Sequence, residues 1–508
     1  MLFHPFLPQK KLFKAYDIRG DVIFFTDDFL GALASSFAKL FKAQRANDVV
    51  IGYDVRLDSE RIARFLAVAC QNVGLQVIWL GQVTTPMMAY MAHKHSGNGM
   101  MVTASHSEKH INGIKWLVCG ESPSSTDIET LFFALADEPP TLPTASFYQQ
   151  LTNFLPLPTE DYFNQYQTAI YQAISHIHTA HPSSLTSPNR HCVKKIVIDC
   201  LNGSTSRFAK SLFSGLGYDC VMLNAIPDGN FPKGNPDPTE THRLLELCAT
   251  VKQFKADLGL AFDGDGDRLM VVTGNGEVVS PDHLLYLLAK IALTQLPTSA
   301  ITKPEVIFDV KCSHHLPRLI AEQGAIPIME KTGSSLMRKS LQNHSRFSVF
   351  AGELSGHFLF NDGYFVLHDD AMYAAVRLLN WLANQAQSLG DIIHQMPFSV
   401  STADIYLPVE NSEIGQKIIT RLVGLSKKPF SALKRALSLT TINTIDGLRL
   451  DFSHGFGILR KSNTGNFLTV RFVADSLEDL QKIQQVFVGL CRNVDHGLAS
   501  QVANIQPV

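Results

Sequence analysis

Leu258-Gly-Leu-Ala-Phe-Asp-Gly-Asp-Gly-Asp-Arg268 reads as an apolar strand running into three aspartates at alternate positions, separated only by glycines and closed by an arginine. Asp263, Asp265 and Asp267 would repel one another if packed side by side without a counter-charge. Gly264 and Gly266 let the backbone turn tightly enough to aim all three inward. Hard oxygen donors of this kind suit magnesium, which keeps coordination positions open for a phosphate. A solvated acidic turn and a calcium EF-hand are competing readings. The EF-hand fails on count, because its sixth position is Arg268 instead of glycine and its twelfth is Gly274 instead of glutamate. Carboxylates at the C-terminal end of a strand fit an open α/β sheet, where ligands bind at that edge.

The same pattern recurs on either side of this stretch. An apolar strand ends on an aspartate three times: Val49-Val-Ile-Gly-Tyr-Asp54, Ile196-Val-Ile-Asp199 and Val306-Ile-Phe-Asp309. Each is followed by a polar turn, a helix-like stretch and a second strand: Gln76–Leu80, Asp219–Leu223 and Ala325–Met329. A third strand then runs into an unusual loop: Gly99–Val102 into Thr103-Ala-Ser-His106, Leu258–Phe262 into the aspartate loop, and Phe347–Phe350 into Gly352-Glu-Leu-Ser-Gly-His357. The spacing predicts three similar α/β domains with parallel or mixed sheets, each presenting one polar loop at an equivalent place. From about residue 396 the pattern becomes alternating strands, Leu448–Phe452, Gly457–Arg460 and Phe467–Phe472, and then an amphipathic helix from Ser476, which predicts a smaller α+β domain. The segment His176-Ile-His-Thr-Ala-His-Pro-Ser-Ser-Leu-Thr-Ser-Pro-Asn-Arg-His191 is expected to be an exposed insertion. Its histidines lack supporting acids, so a metal site there is not expected.

With 508 residues and 45% hydrophobic content, the chain is long enough for about three or four domains. A formal charge of −2 argues against broad attraction to nucleic acid or membrane, so an anionic substrate must be held by a local basic cluster. The cysteines at 70, 119, 192, 200, 220, 248, 312 and 491 form no Cys-x-x-Cys pair, and a reduced, cytoplasmic protein is expected. The N-terminus places its charge after a short apolar run broken by prolines, the wrong order for a signal peptide. No apolar stretch approaches membrane-spanning length.

In these motifs the chain resembles the bacterial phosphomannomutase/phosphoglucomutases of the α-D-phosphohexomutase superfamily. The resemblance runs in order through Phe13-Lys-Ala-Tyr-Asp-Ile-Arg-Gly20, Thr103-Ala-Ser-His106, the Asp-Gly-Asp-Gly-Asp-Arg loop, Gly352-Glu-Leu-Ser-Gly-His357 and Arg460-Lys-Ser-Asn-Thr464. It implies four domains around a central cleft: 1–157 with the phosphoserine loop, 158–280 with the metal loop, 281–395 with the sugar-recognition loop and 396–508 as a phosphate-binding lid. It also implies reversible transfer of phosphate between the 1- and 6-positions of a hexose, mannose or glucose, through an active-site phosphoserine and a hexose 1,6-bisphosphate. Ser105 matches the phosphoserine. Arg19 and Lys115 match cations beside it, Arg268 and His357 complete the catalytic set, and Ser105, Asp263, Asp265 and Asp267 hold one Mg2+. Tyr16, His106, Lys311, Glu353, Ser355, Arg460, Ser462, Asn463 and Thr464 match substrate-binding positions. Sugar phosphates are the expected partners, with no nucleic acid or membrane, and a monomer or weak homodimer is expected.

The chain departs from the family pattern at several points. The serine loop reads Ser105-His-Ser-Glu-Lys-His110 where Ser-His-Asn-Pro is usual. Without the proline the loop is expected to be more mobile or differently shaped, and Glu108 adds a negative charge near the phosphoserine. Ser334 stands where many relatives have histidine, which puts an acid–base role there in doubt, and Asn463-Thr-Gly-Asn466 replaces the usual Thr-x-Pro. Three alternatives follow: a phosphoglucosamine mutase, disfavoured by Leu354 and by Ser-Asn-Thr in the phosphate loop; a non-catalytic sugar-phosphate-binding relative; and a Mg-dependent phosphatase.

Overall fold

The structure, a computed structural model, describes residues 4–138, 144–153, 159–181, 193–296, 303–343, 347–427, 438–462 and 465–507. Three of its four sheets are variations on one unit. The first contains β1 (Ile18–Asp21), β2 (Asp48–Tyr53), β3 (Gln76–Gln82), β4 (Gly99–Val102) and β5 (Ile111–Leu117) in the order β1-β5-β4-β2-β3. The second orders β6 (Lys195–Asp199), β7 (Asp219–Leu223), β8 (Leu258–Phe262) and β9 (Leu269–Thr273) as β7-β6-β8-β9. The third repeats this with β10 (Glu305–Asp309), β11 (Ile326–Glu330), β12 (Ser348–Gly352) and β13 (Phe358–Phe360) as β11-β10-β12-β13.

In the first unit β2, β3 and β4 are parallel and β5 returns antiparallel, and in the second and third units the first three strands are parallel and the fourth returns antiparallel. Continuous apolar runs form the parallel strands because helices cover both faces; every residue of β4, β8 and β12 is buried. The sequence reading anticipates these strands to within a residue or two but not the returning ones. Each polar loop is therefore a tight reversal between the last parallel strand and the returning strand, which pins it at both ends.

The fourth sheet is antiparallel, with β14 (Val400–Ser401), β15 (Ile405–Pro408), β16 (Leu439–Asn443), β17 (Leu448–Phe452), β18 (Gly455–Lys461) and β19 (Phe467–Ala474) in the order β14-β19-β18-β17-β16, and β15 also pairing β19. The helix Leu477–Arg492, capped by Ser476 on Asp479 N, lays Phe487 against Phe472 of β19 with ring centroids 5.4 Å apart. This unit has its own core. A small apolar cluster of Val310, Phe456, Ile458 and Val473 joins it to the third unit. A larger core runs from the first unit through the second to the third.

The expected insertion at 176–191 is corrected in part. His176 to Ala180 continue the helix Thr159–Ala180, whose apolar face buries Ile174 and Ile177, and His178 Nε2 lies 2.6 Å from Asn380 Oδ1. Residues 182–191 lie outside the described residues. Arg460 lies in β18, consistent with the strand read at Gly457–Arg460, and Ser462 directly follows that strand. Asn463 and Thr464 lie outside the described residues. Among the described residues, no helix is long and apolar enough to cross a membrane.

Candidate active site

Ser105 is buried, and its backbone lies in the left-handed region at φ 51°. Such a conformation costs a non-glycine residue on the order of 1–3 kcal/mol and persists only when the surroundings fix it. Here they do. Thr103 Oγ1 accepts from Ser105 N (2.9 Å) and donates to Asp54 Oδ2 (2.8 Å). The buried Arg56 guanidinium gathers the loop's carbonyls: Nη1 donates to Glu108 O (2.6 Å) and Ile111 O (2.9 Å), and Nη2 to Ser105 O (2.8 Å) and Ser107 O (2.7 Å), while Nε is anchored on Asp54 Oδ2 at 3.1 Å. This five-donor fork gathers the loop's carbonyls although the Asn-Pro pair is absent. Ser107 also accepts from Arg19 Nη1 at 3.3 Å. The exposed Glu108 carboxylate lies 3.4 Å from His110 Nδ1 at the surface, where water and that neighbour weaken its field on Ser105.

The aspartate loop meets the serine loop directly. Ser105 Oγ donates to Asp263 Oδ2 at 2.6 Å. Gly264 is needed for this approach, since a Cβ there would lie 2.5 Å from Ser105 O; Gly266 takes φ 78° to complete the turn. Asp263 Oδ1 accepts the backbone N–H groups of Gly266, Asp267 and Arg268 at 3.0, 3.1 and 3.2 Å. Lys115 Nζ donates to Asp265 Oδ2 (2.8 Å) and Asp267 Oδ2 (2.6 Å), and Thr85 Oγ1 donates to Asp265 Oδ2 (2.6 Å). Asp265 Oδ1 and Asp267 Oδ1 are buried without any hydrogen-bond partner. One oxygen from each of the three carboxylates falls within 4.8 Å of the others.

Burial and the charges of Asp267 and Asp265 push the Asp263 carboxyl well above the usual range. Burial opposes ionisation of Asp265 too, but Lys115 outweighs it and holds that carboxyl low. Burial likewise works against the Lys115 ammonium, and Asp265 and Asp267 overcome it. Three buried carboxylates facing one lysine, two with orphaned oxygens, form a donor set that could hold a hard divalent cation.

Two further cations and two histidines close this end. Arg19 forks onto Asp17 Oδ2 (3.0 and 2.6 Å) and reaches Ala104 O at 3.3 Å. Arg268 Nε donates to His357 Nε2 at 3.1 Å, with Asp237 Oδ1 at 3.8 Å from its Nη1. His357 Nδ1 sits 3.0 Å from Asp369 Oδ2 and 3.6 Å from Asp267 Oδ1; burial disfavours its charge, but these carboxylates raise its pKa. His106 Nδ1 lies 3.2 Å from Ser105 Oγ, and burial with the surrounding cations keeps that ring neutral.

The cleft has two compartments sharing Tyr16, His106, Arg268, Ser334 and His357. The inner one, about 160 Å³, is lined by Ser105, Arg19, Lys115 and Asp267. The outer one, about 460 Å³, is lined by Lys311, Glu353, Ser355, Arg460 and Ser462. The described candidate residues thus converge on one cleft. In the outer compartment Glu353 Oε1 accepts from Gly333 N, and its Oε2 accepts from Ser355 Oγ at 2.9 Å. Lys311 Nζ donates to Asp404 Oδ2 at 2.5 Å, across the third and fourth units. Arg460 Nε donates to Asp446 Oδ2 at 2.8 Å, while its buried Nη2 has no partner among the described residues. Burial, then Asp446, pushes the Tyr16 phenol up to about 12.

Arg56, Thr85, Asp369, Asp404 and Asp446 are structural partners of the site that the sequence reading missed. One signal was available for Arg56: it stands two residues after the strand-ending Asp54, as Lys311 does after Asp309.

Family models described as "Phosphoglucomutase/phosphomannomutase, alpha/beta/alpha domain" I, II and III match residues 10–137, 171–276 and 280–398. The chain is 35% identical over 489 residues to a phosphomannomutase/phosphoglucomutase of Pseudomonas syringae pv. tomato, covering 95% of each chain. It is 32% identical over 489 residues to a phosphoglucomutase of Neisseria gonorrhoeae, covering 96% of this chain and 98% of the relative. A crystal structure of a phosphoglucomutase/phosphomannomutase family protein from Burkholderia thailandensis matches with TM-score 0.80 at 30% identity, covering 97% of this chain and 99% of that one.

Proposed function

This chain belongs to the phosphoglucomutase/phosphomannomutase family and is a phosphohexomutase; we propose that it interconverts the 1- and 6-phosphates of mannose, glucose or both, using Ser105 as its phosphoryl carrier. The contact that carries this reading is Ser105 Oγ on Asp263 Oδ2 at 2.6 Å, inside a strained, clamped loop facing the aspartate triad. Mg2+ at Ser105, Asp263, Asp265 and Asp267 would neutralise charge on the transferring phosphoryl group.

Arg19, Lys115 and Arg268 surround the point of transfer with positive charge, which favours the phosphoryl transition state over the ground state. Lys115, held as an ammonium by Asp265 and Asp267, and His357, between Arg268 and Asp369, would assist departure of the proton from the attacking sugar hydroxyl through their positive charge. Glu353 and Ser355 bind sugar hydroxyls, with Tyr16, His106 and Lys311 bordering them. Arg460 and Ser462, with Asn463 and Thr464, bind the phosphate that is not reacting. Transfer from Ser105 to the free hydroxyl gives a hexose 1,6-bisphosphate. That intermediate turns over in the cleft and returns its other phosphate to Ser105, so the bisphosphate also serves as activator. On this reading the domains are 1–157, 158–280, 281–395 and 396–508, the last acting as the lid.

A coupled assay with mannose 1-phosphate and glucose 1-phosphate, catalytic hexose 1,6-bisphosphate and magnesium tests this reading. Hexose 6-phosphate should form from at least one substrate. Release of inorganic phosphate with no isomer would instead indicate a phosphatase.

A further inference from the structure

At the seam between the third and fourth units, His314, His315, His454 and Asp475 form a cluster that lines neither compartment of the cleft. His314 and His315 follow β10, with His315 preceding the helix Leu316–Glu322. Asp475 follows β19, and its N–H donates to His454 O at 2.9 Å, which fixes the β17–β18 turn beside it. His314 Nε2 and His315 Nε2 lie 2.9 and 2.8 Å from the same oxygen, Asp475 Oδ1, and His454 Nδ1 lies 3.2 Å from Oδ2. Despite that short distance, the buried His315 Nε2 makes no hydrogen bond, and the buried His314 Nδ1 has no partner either. One ligand atom from each of His314, His315 and Asp475 falls within 4.8 Å of the others.

We propose that this seam is a second metal site, for a borderline transition cation of the Zn2+ class, bound by His314, His315, Asp475 and the more exposed His454. Three imidazoles and one carboxylate suit Zn2+ and are a poor set for Mg2+, which prefers oxygen, so the two sites select different ions. Zn–N and Zn–O bonds of about 2.0–2.1 Å put tetrahedral ligand atoms roughly 3.3 Å apart, so the shortest separations need to open by only about half an ångström. The nearby Arg449 guanidinium is already forked onto Asp451 Oδ1 at 2.9 and 2.7 Å, which offsets its repulsion of a cation.

The consequence is mechanical. Apart from the apolar cluster of Val310, Phe456, Ile458 and Val473, polar contacts such as Lys311 with Asp404 and Arg449 with the carbonyls of Val310 and Cys312 join the two units. A cation held by residues 314, 315, 454 and 475 would fasten the fourth unit to the third behind the cleft.

The test uses the full chain in excess Mg2+, titrated with Zn2+ and separately with Co2+ as a spectroscopic stand-in. One equivalent of Zn2+ should bind at micromolar concentration or tighter and raise the Tm, and Co2+ should give visible absorption of a tetrahedral centre. Both signals should vanish in a His314→Ala/His315→Ala variant and weaken on the order of tenfold in His454→Ala, whose exposed side chain is dispensable for folding. Asp265→Asn, at the other site, should leave them intact. No Zn2+ binding above excess Mg2+, binding undiminished in His454→Ala, or binding lost in Asp265→Asn would each overturn the proposal. His454→Ala also decides the matter if the double variant fails to fold.

Discussion

The two ends of the cleft are built on opposite principles. At the serine end, nearly every charged group is already committed to another: Lys115 to two aspartates, Arg56 to four carbonyls and Asp54, His357 to Asp369 and Arg268. At the outer end the volume is larger, Arg460 keeps a buried N–H group without a partner, and Lys311 and Asp404 span two units with separate cores. The inner end is preorganised for one geometry, as phosphoryl transfer demands, because dipoles fixed in advance need not rearrange during reaction. The outer end must accept a sugar phosphate in two orientations, and there the Arg460 Nη2 group is left for the ligand to satisfy.

Substitutions at the two ends should therefore fail differently. The largest effect is expected at the inner end. Ser105→Ala removes the phosphate acceptor without disturbing a core, so mutase activity should fall to near background with unchanged thermal unfolding; activity within about tenfold of the parent would break the assignment.

Next is Asp265→Asn, which removes one of the charges that offset the cation's dehydration while keeping the side chain's size. Activity should fall on the order of a hundredfold and recover in part at high magnesium, as read in a magnesium titration of the initial rate. A rate indifferent both to chelator and to this substitution would mean that the triad is only a buried ion-pair network around Lys115.

Arg460→Ala tests the outer end, and its effect should appear in the Michaelis constant more than in kcat. Charge-assisted bonds to the non-reacting phosphate are worth about 1.5–3 kcal/mol. More inorganic phosphate should also leak per turnover, because a less firmly closed lid admits water. Small-angle scattering should show the parent becoming more compact with glucose 1-phosphate and the variant responding less. Identical affinity and identical compaction would remove the contrast between the ends.

The smallest effect is expected from Ser107→Asn/Glu108→Pro, which restores the family's usual pair. Arg56 already holds this loop, so the gain should stay below about 1 kcal/mol in stability. Retention of the serine phosphate, followed by mass spectrometry over hours, should lengthen modestly. A large gain would show that the Arg56 fork is a poor substitute for proline.

Much of this architecture was legible in the sequence because the parallel strands are unbroken apolar runs and each ends at a glycine-punctuated polar loop. The returning strands were not. β13 is only three residues long and β5 carries Asn112 and Lys115 among apolar residues, so neither presents a clean period. The candidate residues matched a known order of motifs, but their partners did not. Asp369, Asp404 and Asp446 are ordinary acids in ordinary loops, and only the fold brings them against His357, Lys311 and Arg460. The serine loop shows the limit most clearly: its altered sequence drew attention to the loop itself, while Arg56, whose guanidinium gathers its carbonyls, lies about fifty positions earlier in the chain.

The central claim, that Ser105 carries the phosphate transferred to the sugar, is tested most directly by intact-mass measurement of the protein after exposure to glucose 1,6-bisphosphate and then to excess hexose 1-phosphate. Bisphosphate should add roughly 80 daltons, located by fragmentation on Ser105, and hexose 1-phosphate should remove it as bisphosphate appears in solution. A protein that gains no phosphate, gains it elsewhere, or keeps it unchanged in the presence of hexose 1-phosphate would contradict the account.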